Sequence, residues 1–265
     1  VSLRYKCKIN NLKNFKMSKL INKVIIVTGA SKGIGAEIAK QMAAEGAKVV
    51  VNYASSKEGA DTVVTEIIKN GGTAVAIQAN LSNSADVKNL FEVTKKTYGS
   101  LDVLVNNAGV YQFAPIENIT EEEFHRQFNI NVLGPILATQ EAVKLFGDNG
   151  GSIINMSSVV SKNPFPMGSI YSATKSALDS ITQSLAKELG PKKIRVNSIC
   201  PGIIETEGTH TMGFIGSDFE KQAVADTPFG RVGQPNDIAK VAVFLASDDS
   251  SWITGESISV SGGLK

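Results

Sequence analysis

From Lys23 onward, short runs rich in Val and Ile alternate with segments of helical period, and no other feature restricts the fold as tightly. The runs are "KVIIVTG", "KVVVNY", "TAVAIQAN", "VLVNNAG", "GSIINMSS", "IRVNSICPG" and "SISVSGG". Between them the apolar spacing predicts helices near 34–45, 57–70, 84–98, 120–146, 170–189 and 235–246. Near-continuous apolar strands joined through helices are satisfied by a parallel sheet covered on both faces. The expected fold is α/β, a single doubly wound domain over 23–265 with a parallel seven-stranded sheet. The segment 203–231 breaks the rhythm. It is too long for a plain strand-to-helix connection, and its Gly, Thr and Phe content suits a mobile substrate lid.

Residues 1–22 differ in character from this body. Residues 1–23 hold seven of the 27 Lys and Arg and none of the 25 acids, and their apolar residues keep no period. The expectation for 1–22 is a disordered basic extension, with Met17 a natural start. The remainder is net acidic, which argues against a nucleic-acid role. No apolar run approaches the roughly 20 residues that span a bilayer, and no secretory signal is visible. A cytoplasmic location without membrane attachment is the expectation. Cys7 and Cys200 are the only cysteines, too few for a disulfide framework or a Cys-rich zinc site, so no metal is expected.

"TGASKGIG", Thr28 to Gly35, joins the first strand pattern to the first helix. Gly29, Gly33 and Gly35 allow close backbone approach to a pyrophosphate, which the helix N-terminus would hold with free N–H groups. The spacing G-x-x-x-G-x-G departs from the common G-x-G-x-x-G fingerprint, and the same glycines are also explained by a tight turn alone. After the second strand comes "NYASSKEG", where an acid would bind the 2′-hydroxyl of NAD. The first acid is Glu58, beyond the strand end. Lys32, Ser55 and Lys57 are placed to meet a 2′-phosphate, so NADP(H) is the expected cofactor.

"IYSATKSALDSITQSLAKEL" places Tyr171 four residues before Lys175, on one helix face. A free phenol ionises near pH 10, so acid–base work at neutral pH needs a neighbour that favours phenolate. Lys175 is that neighbour, although a shift of roughly three units requires a further charge and partial exclusion of water. Ser158 ends a strand, where ligands meet a doubly wound sheet. A bare Y-x-x-x-K is common and usually structural; its context decides.

That context resembles the short-chain dehydrogenase/reductase family from about Asn22 to the C-terminus. The matching elements are "TGASKGIG", "NNAG", "INVLG", "NMSS", "YSATK", "CPGIIET" and "TGESISVSGG", in order. The resemblance implies a Rossmann-type fold and a catalytic tetrad of Asn131, Ser158, Tyr171 and Lys175. Tyr171 would give a proton to a substrate carbonyl as hydride arrives from nicotinamide. Ser158 would orient the oxygen, Lys175 would hold the nicotinamide ribose and lower the tyrosine pKa, and Asn131 would position a proton-relaying water. Asn129 and Ser157 compete with Asn131 and Ser158, and only the family register selects between them. Cofactor contacts implied along the glycine loop are Gly29, Ser31, Lys32, Gly33, Ile34 and Gly35. Around the next two strand ends they are Asn52, Tyr53, Ser55, Asn80 and Leu81. Asn107, Ala108 and Gly109 would follow the adenosine side, with Tyr171 and Lys175 at the ribose. Pro201, Gly202, Ile204 and Thr206 would border the nicotinamide.

Two departures stand out. Asn80 replaces the usual Asp beside adenine, and Ser261 replaces the usual Asp before the last glycine pair. His125 and His210 are read as surface or lid residues, since Tyr171 already supplies the acid. The leading expectation is an NADP(H)-dependent reductase that interconverts a small ketone or aldehyde with an alcohol. The alternatives are a 3-oxoacyl-carrier-protein reductase and a sugar (glucose) 1-dehydrogenase. A non-catalytic cofactor sensor is disfavoured because all four tetrad residues are present. The family resemblance also implies a homotetramer.

Overall fold

The computed structural model describes residues 18–264. Seven strands form one parallel sheet: β1 (Val24–Val27), β2 (Lys48–Tyr53), β3 (Thr73–Gln78), β4 (Val103–Asn106), β5 (Gly151–Met156), β6 (Ile194–Pro201) and β7 (Ser257–Val260). The order is β3-β2-β1-β4-β5-β6-β7. Direction reverses between β1 and β4, where Ile25 pairs with both Val49 and Val103. That switch point opens a crevice at the carboxyl ends of the strands.

The central strands are Val- and Ile-rich because both faces are covered. Ile25, Val27, Val49 and Val51 pack toward α1 (Gly33–Ala44), α2 (Lys57–Lys69) and α9 (Pro235–Ala246). Val24, Ile26, Val50 and Leu104 pack on the opposite face, toward α3 (Ser84–Tyr98), α5 (Gly134–Leu145) and α6 (Ser169–Leu189). Each fully buried aliphatic side chain contributes about 1.5–3 kcal/mol relative to exposure. The fold is thus fixed mainly by these two apolar layers.

All seven expected strands and the expected helices form, with one interruption. The stretch foreseen as a single helix over 120–146 is divided into α4 (Glu121–Phe128), a π-helical turn over Asn129–Leu133, and α5. Thr120 caps α4 by accepting from the Glu123 amide. Pro135 sits at the start of α5, where its lack of an N–H is tolerated.

The stretch 203–231 is not a plain loop. It contains α7 (Glu207–Thr211) and α8 (Asp218–Asp226), each capped by a hydroxyl, from Thr206 and Ser217.

The first seventeen residues of the expected basic extension lie outside the described residues. Its last residues belong to the folded body: Leu20 is fully buried, its amide donates to the Glu45 carbonyl, and the Asn22 amide donates to Gly46. The folded body therefore begins before the expected boundary at Lys23.

Candidate active site

The crevice is closed at its base by contacts between the loops after β1 and β4. The Asn107 side-chain nitrogen donates to the Thr28 and Gly29 carbonyls at 2.8 and 3.1 Å, and the Asn107 and Ala108 amides donate to the Thr28 hydroxyl. This explains two of the glycines more directly than phosphate approach does. Gly29 has φ +60°, and a Cβ there would lie 2.8 Å from the Ala108 Cα. A Cβ on Gly35 would run into the Asn107 side-chain nitrogen. Gly33, at φ +58°, faces the lid, with Thr206 Cγ2 3.4 Å from where its Cβ would stand. No side chain caps the first turn of α1, so its amides keep their capacity for an anion.

The expected adenosine side is less available than the sequence suggested. Asn52 is buried: its oxygen accepts from the Gly29 amide and its nitrogen faces the Ile77 and Ala79 carbonyls, so it is an internal strut. Tyr53, Leu81 and Ile204 are also buried, and Leu81 lies directly under Gly134. Asn80 accepts from the Ser82 amide and hydroxyl, which occupies the oxygen expected to meet adenine. Ser31 packs on Gly59 at the start of α2, and Ile34 against the apolar core. Lys57 pairs with Asp61, whereas Lys32 and Ser55 are exposed at the rim. Gly202 is held against Ser261, whose hydroxyl donates to the Leu264 carbonyl. The serine therefore ties the C-terminal turn in the place of the usual acid. Gly109 lies nearer the chemistry than expected: a Cβ there would be 3.5 Å from Asn131 Oδ1 and 3.6 Å from Lys175 Nζ.

Tyr171, Ser158, Lys175 and Asn131 converge at the opposite wall. The Tyr171 hydroxyl is hydrogen-bonded to Ser158, and the Lys175 ammonium lies 5.5 Å from the Tyr171 ring centroid. Lys175 Nζ donates to the Met156 carbonyl at 2.7 Å. Ser158 ends extended, and its oxygen faces the Val160 amide at 3.4 Å. Ser157, its competitor in the sequence, turns to the Lys175 carbonyl instead. Asn129 is exposed, while Asn131 is 1% exposed. The Asn131 amide is saturated: its oxygen accepts from Val110 N, and its nitrogen donates to the Val110 carbonyl and to Thr174 Oγ1. Its side chain thus fastens the loop after β4 to α6, and its main-chain carbonyl lacks the ordinary helical donor. Pro135, four residues on, has no N–H to offer that carbonyl.

The electrostatics differ from the expected pairing. Burial pushes the Tyr171 phenol up to about 12, against the lowering effect of the Ser158 hydrogen bond. Burial likewise brings Lys175 down to about 8, opposed by the negative charge of Asp179. The lysine alone does not make a phenolate. In the unliganded site the phenol is neutral, and an added positive charge would be needed to bring it toward phenolate.

Aromatic residues that the sequence reading passed over form the outer wall. Tyr111 and Phe113 stack at 5.6 Å, both stand edge-on to Tyr171 at 5.9 Å, and Phe165 packs on Phe113 at 5.0 Å. Gln127 holds this wall by donating to the Gln112 carbonyl, and the Ala114 amide donates to Met167, a non-glycine residue at φ +68°. The available signal was "VYQF" directly after "NNAG", two aromatics at a strand end facing the crevice. His125 and His210 stay outside this centre, paired with Glu121 and Glu205.

The chain is similar to known proteins along most of its length. Residues 29–265 match the family described as enoyl-(acyl carrier protein) reductase. An uncharacterized oxidoreductase of Methylorubrum extorquens is 58% identical over 94% of this chain and 100% of its own length. A probable tetrahydroxynaphthalene reductase of Zymoseptoria tritici is 40% identical over 92% of this chain and 95% of its own. The angucycline C-6 ketoreductase LanV, solved with bound NADP, superimposes with a TM-score of 0.87 at 38% identity, covering 93% of this chain and 97% of that one.

Proposed function

The chain belongs to the short-chain dehydrogenase/reductase family of oxidoreductases, and from that premise we propose that it is an NADP(H)-dependent carbonyl reductase acting on ring-bearing ketones. The observation that carries this reading is the neutral Tyr171 hydroxyl, hydrogen-bonded to Ser158 and walled by Tyr111 and Phe113.

The residues present fit a nicotinamide dinucleotide. The uncapped first turn of α1 suits its phosphates, and Gly109 leaves room beside Lys175. Exposed Lys32 and the lack of an acid at the end of β2 favour a 2′-phosphate. When bound, the cofactor supplies the hydride.

The chain's own part is positioning and proton transfer. Ser158 and Tyr171 would both donate hydrogen bonds to the substrate carbonyl oxygen. Tyr171 then releases its proton to that oxygen as it becomes an alcohol. Lys175, held by the Met156 carbonyl, places its positive charge beside the phenolate that forms. The Asn131 carbonyl is the acceptor for a water that returns the proton. Tyr111, Phe113 and Phe165 exclude bulk water and offer ring faces to a flat substrate.

The test is NADPH and NADH oxidation at 340 nm against 1-tetralone, ethyl acetoacetate, an acetoacetyl thioester and glucose. Faster turnover of 1-tetralone with NADPH supports the reading. Preference for the thioester would instead favour a carrier-protein substrate, and inactivity throughout would sink the reading. Homotetramer assembly belongs to the same proposal, and light scattering on the eluted protein tests it. Leu178 and Leu189 of α6 are buried within the chain, whereas Phe124 and Leu133, at the α4–α5 bend, are exposed apolar residues available to a neighbouring copy.

A further inference from the structure

A third member of the Tyr171–Lys175 stripe lies one turn further along α6. Tyr171, Lys175 and Asp179 recur at intervals of four, so their side chains share one helix face. Asp179 is 8% exposed. A buried carboxylate is costly unless hydrogen-bonded or paired, and this one has partners on two sides. Ser161 Oγ donates to its Oδ2 at 2.6 Å, and Ser198 Oγ donates to its Oδ1 at 2.8 Å. Ser161 closes the short 3-10 turn that begins immediately after Ser158. Ser198 lies on β6 and is in turn hydrogen-bonded to Ser257 on β7.

We propose that Asp179 is a positioning residue of this site: its buried charge keeps Lys175 protonated, and its bond to Ser161 anchors the turn that presents Ser158. The inference deepens the reductase reading and rests on it for its consequence in turnover. Among the described residues no salt bridge ties Asp179 down, so its charge acts across the helix face. The opposing effects fall on one group, since burial disfavours the Lys175 ammonium while Asp179 favours it. The other titratable groups facing this pair are Tyr171 on the same helix, Cys200 with its Sγ 3.9 Å from Asp179 Oδ1, Tyr111 beside Tyr171, and Lys162 after Ser161. Tyr171 and Cys200 are held neutral by burial, and Lys162 is a cation, so Asp179 is the one formal negative charge among them.

The decisive measurement is the titration of the Lys175 ammonium by NMR of lysine-labelled, unliganded full chain, with the signal assigned by its loss in Lys175→Met. Asp179→Asn should lower the midpoint by about one unit, a tenfold loss of proton affinity, and Asp179→Glu should restore it. An unmoved midpoint in a folded Asp179→Asn protein overturns the inference. It would leave the reductase reading intact, because the NMR readout needs neither cofactor nor substrate. Should Asp179→Asn fail to fold, Asp179→Ser removes the charge while leaving a hydroxyl for Ser161 and Ser198 to meet. The Lys175 midpoint should then fall in the same direction, and an unmoved one overturns the inference equally. For the anchoring role, Ser161→Ala alone should lower kcat with 1-tetralone several-fold at unchanged NADPH affinity, and wild-type kcat would refute it.

Discussion

The wall that carries Tyr171 and the segment that covers it are built on opposite principles. Along α6, three buried polar groups are fixed by specific partners: Lys175 by Met156, Thr174 by Asn131 and the Tyr171 carbonyl, Asp179 by Ser161 and Ser198. In the lid the polar groups pair at the surface, as in Glu205 with His210 and Gln234, and Arg231 with Asp237. Several of its apolar groups are turned outward, with Phe219 77% and Met212 50% exposed. Buried pairs hold geometry to fractions of an ångström, whereas exposed pairs contribute little and exchange readily. Under the proposed function, the reaction would belong to the buried wall and the choice of substrate to the exposed cover.

The strongest challenge to that division is Tyr171→Phe. Removing the proton donor should lower turnover by about 10²–10⁴-fold while NADPH still binds, read by absorbance at 340 nm and by cofactor fluorescence. Retained turnover would move the chemistry away from α6. Next in size is Gly29→Ala, which forces a side chain into the Ala108 backbone at a left-handed φ. It should cost about 1–3 kcal/mol of stability and weaken cofactor binding, measured by denaturant melts and titration.

A third test uses pH. Because Lys175 is brought down to about 8, kcat/KM for reduction should be flat near pH 7 and fall as that proton is lost above pH 8. Stability should move the other way over the same window. The unfolded chain holds the lysine proton up to its ordinary 10.5, so the native state gains as pH rises from about 8 to 10.5. Tyr171 acts with the opposite sign from about pH 10, since the native phenol keeps its proton to about 12 while the unfolded one loses it, so above about 10.5 stability falls. The smallest effect belongs to the lid: Glu205→Gln breaks an exposed pair and should leave Tm within about 2 °C. Its KM should shift by no more than about threefold for one ketone relative to another, which a substrate panel would detect.

Local pattern made the strands, the helix positions and the convergence of Ser158, Tyr171 and Lys175 legible, because period and motif spacing are properties of neighbouring residues. What escaped the sequence reading depends on approaches between distant segments. Gly29 and Gly35 were assigned to phosphate contact, yet the loop at Asn107 and Ala108, some 75 residues away in sequence, already requires them. Asn52 read as a strand-end ligand because its burial under Gly29 and its bonds to the β3 end are invisible along the chain. The size of the burial effect on Tyr171 escaped for a related reason: spacing reveals a nearby lysine but not the loss of water that raises the phenol in the unliganded site. Gln127 and the Tyr111–Phe113 wall were overlooked because neither belongs to a repeating pattern.

The widened turn over Asn129–Leu133 has a consequence for how this helix tolerates change in length. An ordinary turn takes about 3.6 residues and a π turn takes up one more. Deleting one residue between Phe128 and Pro135 would therefore restore an ordinary spiral with the flanking faces kept, but would displace Asn131 from its place in the bulge. The Asn131 amide would swing away from Val110, and the loop after β4 would come unfastened. A single-codon deletion there should thus be far more damaging than any conservative replacement at the same positions.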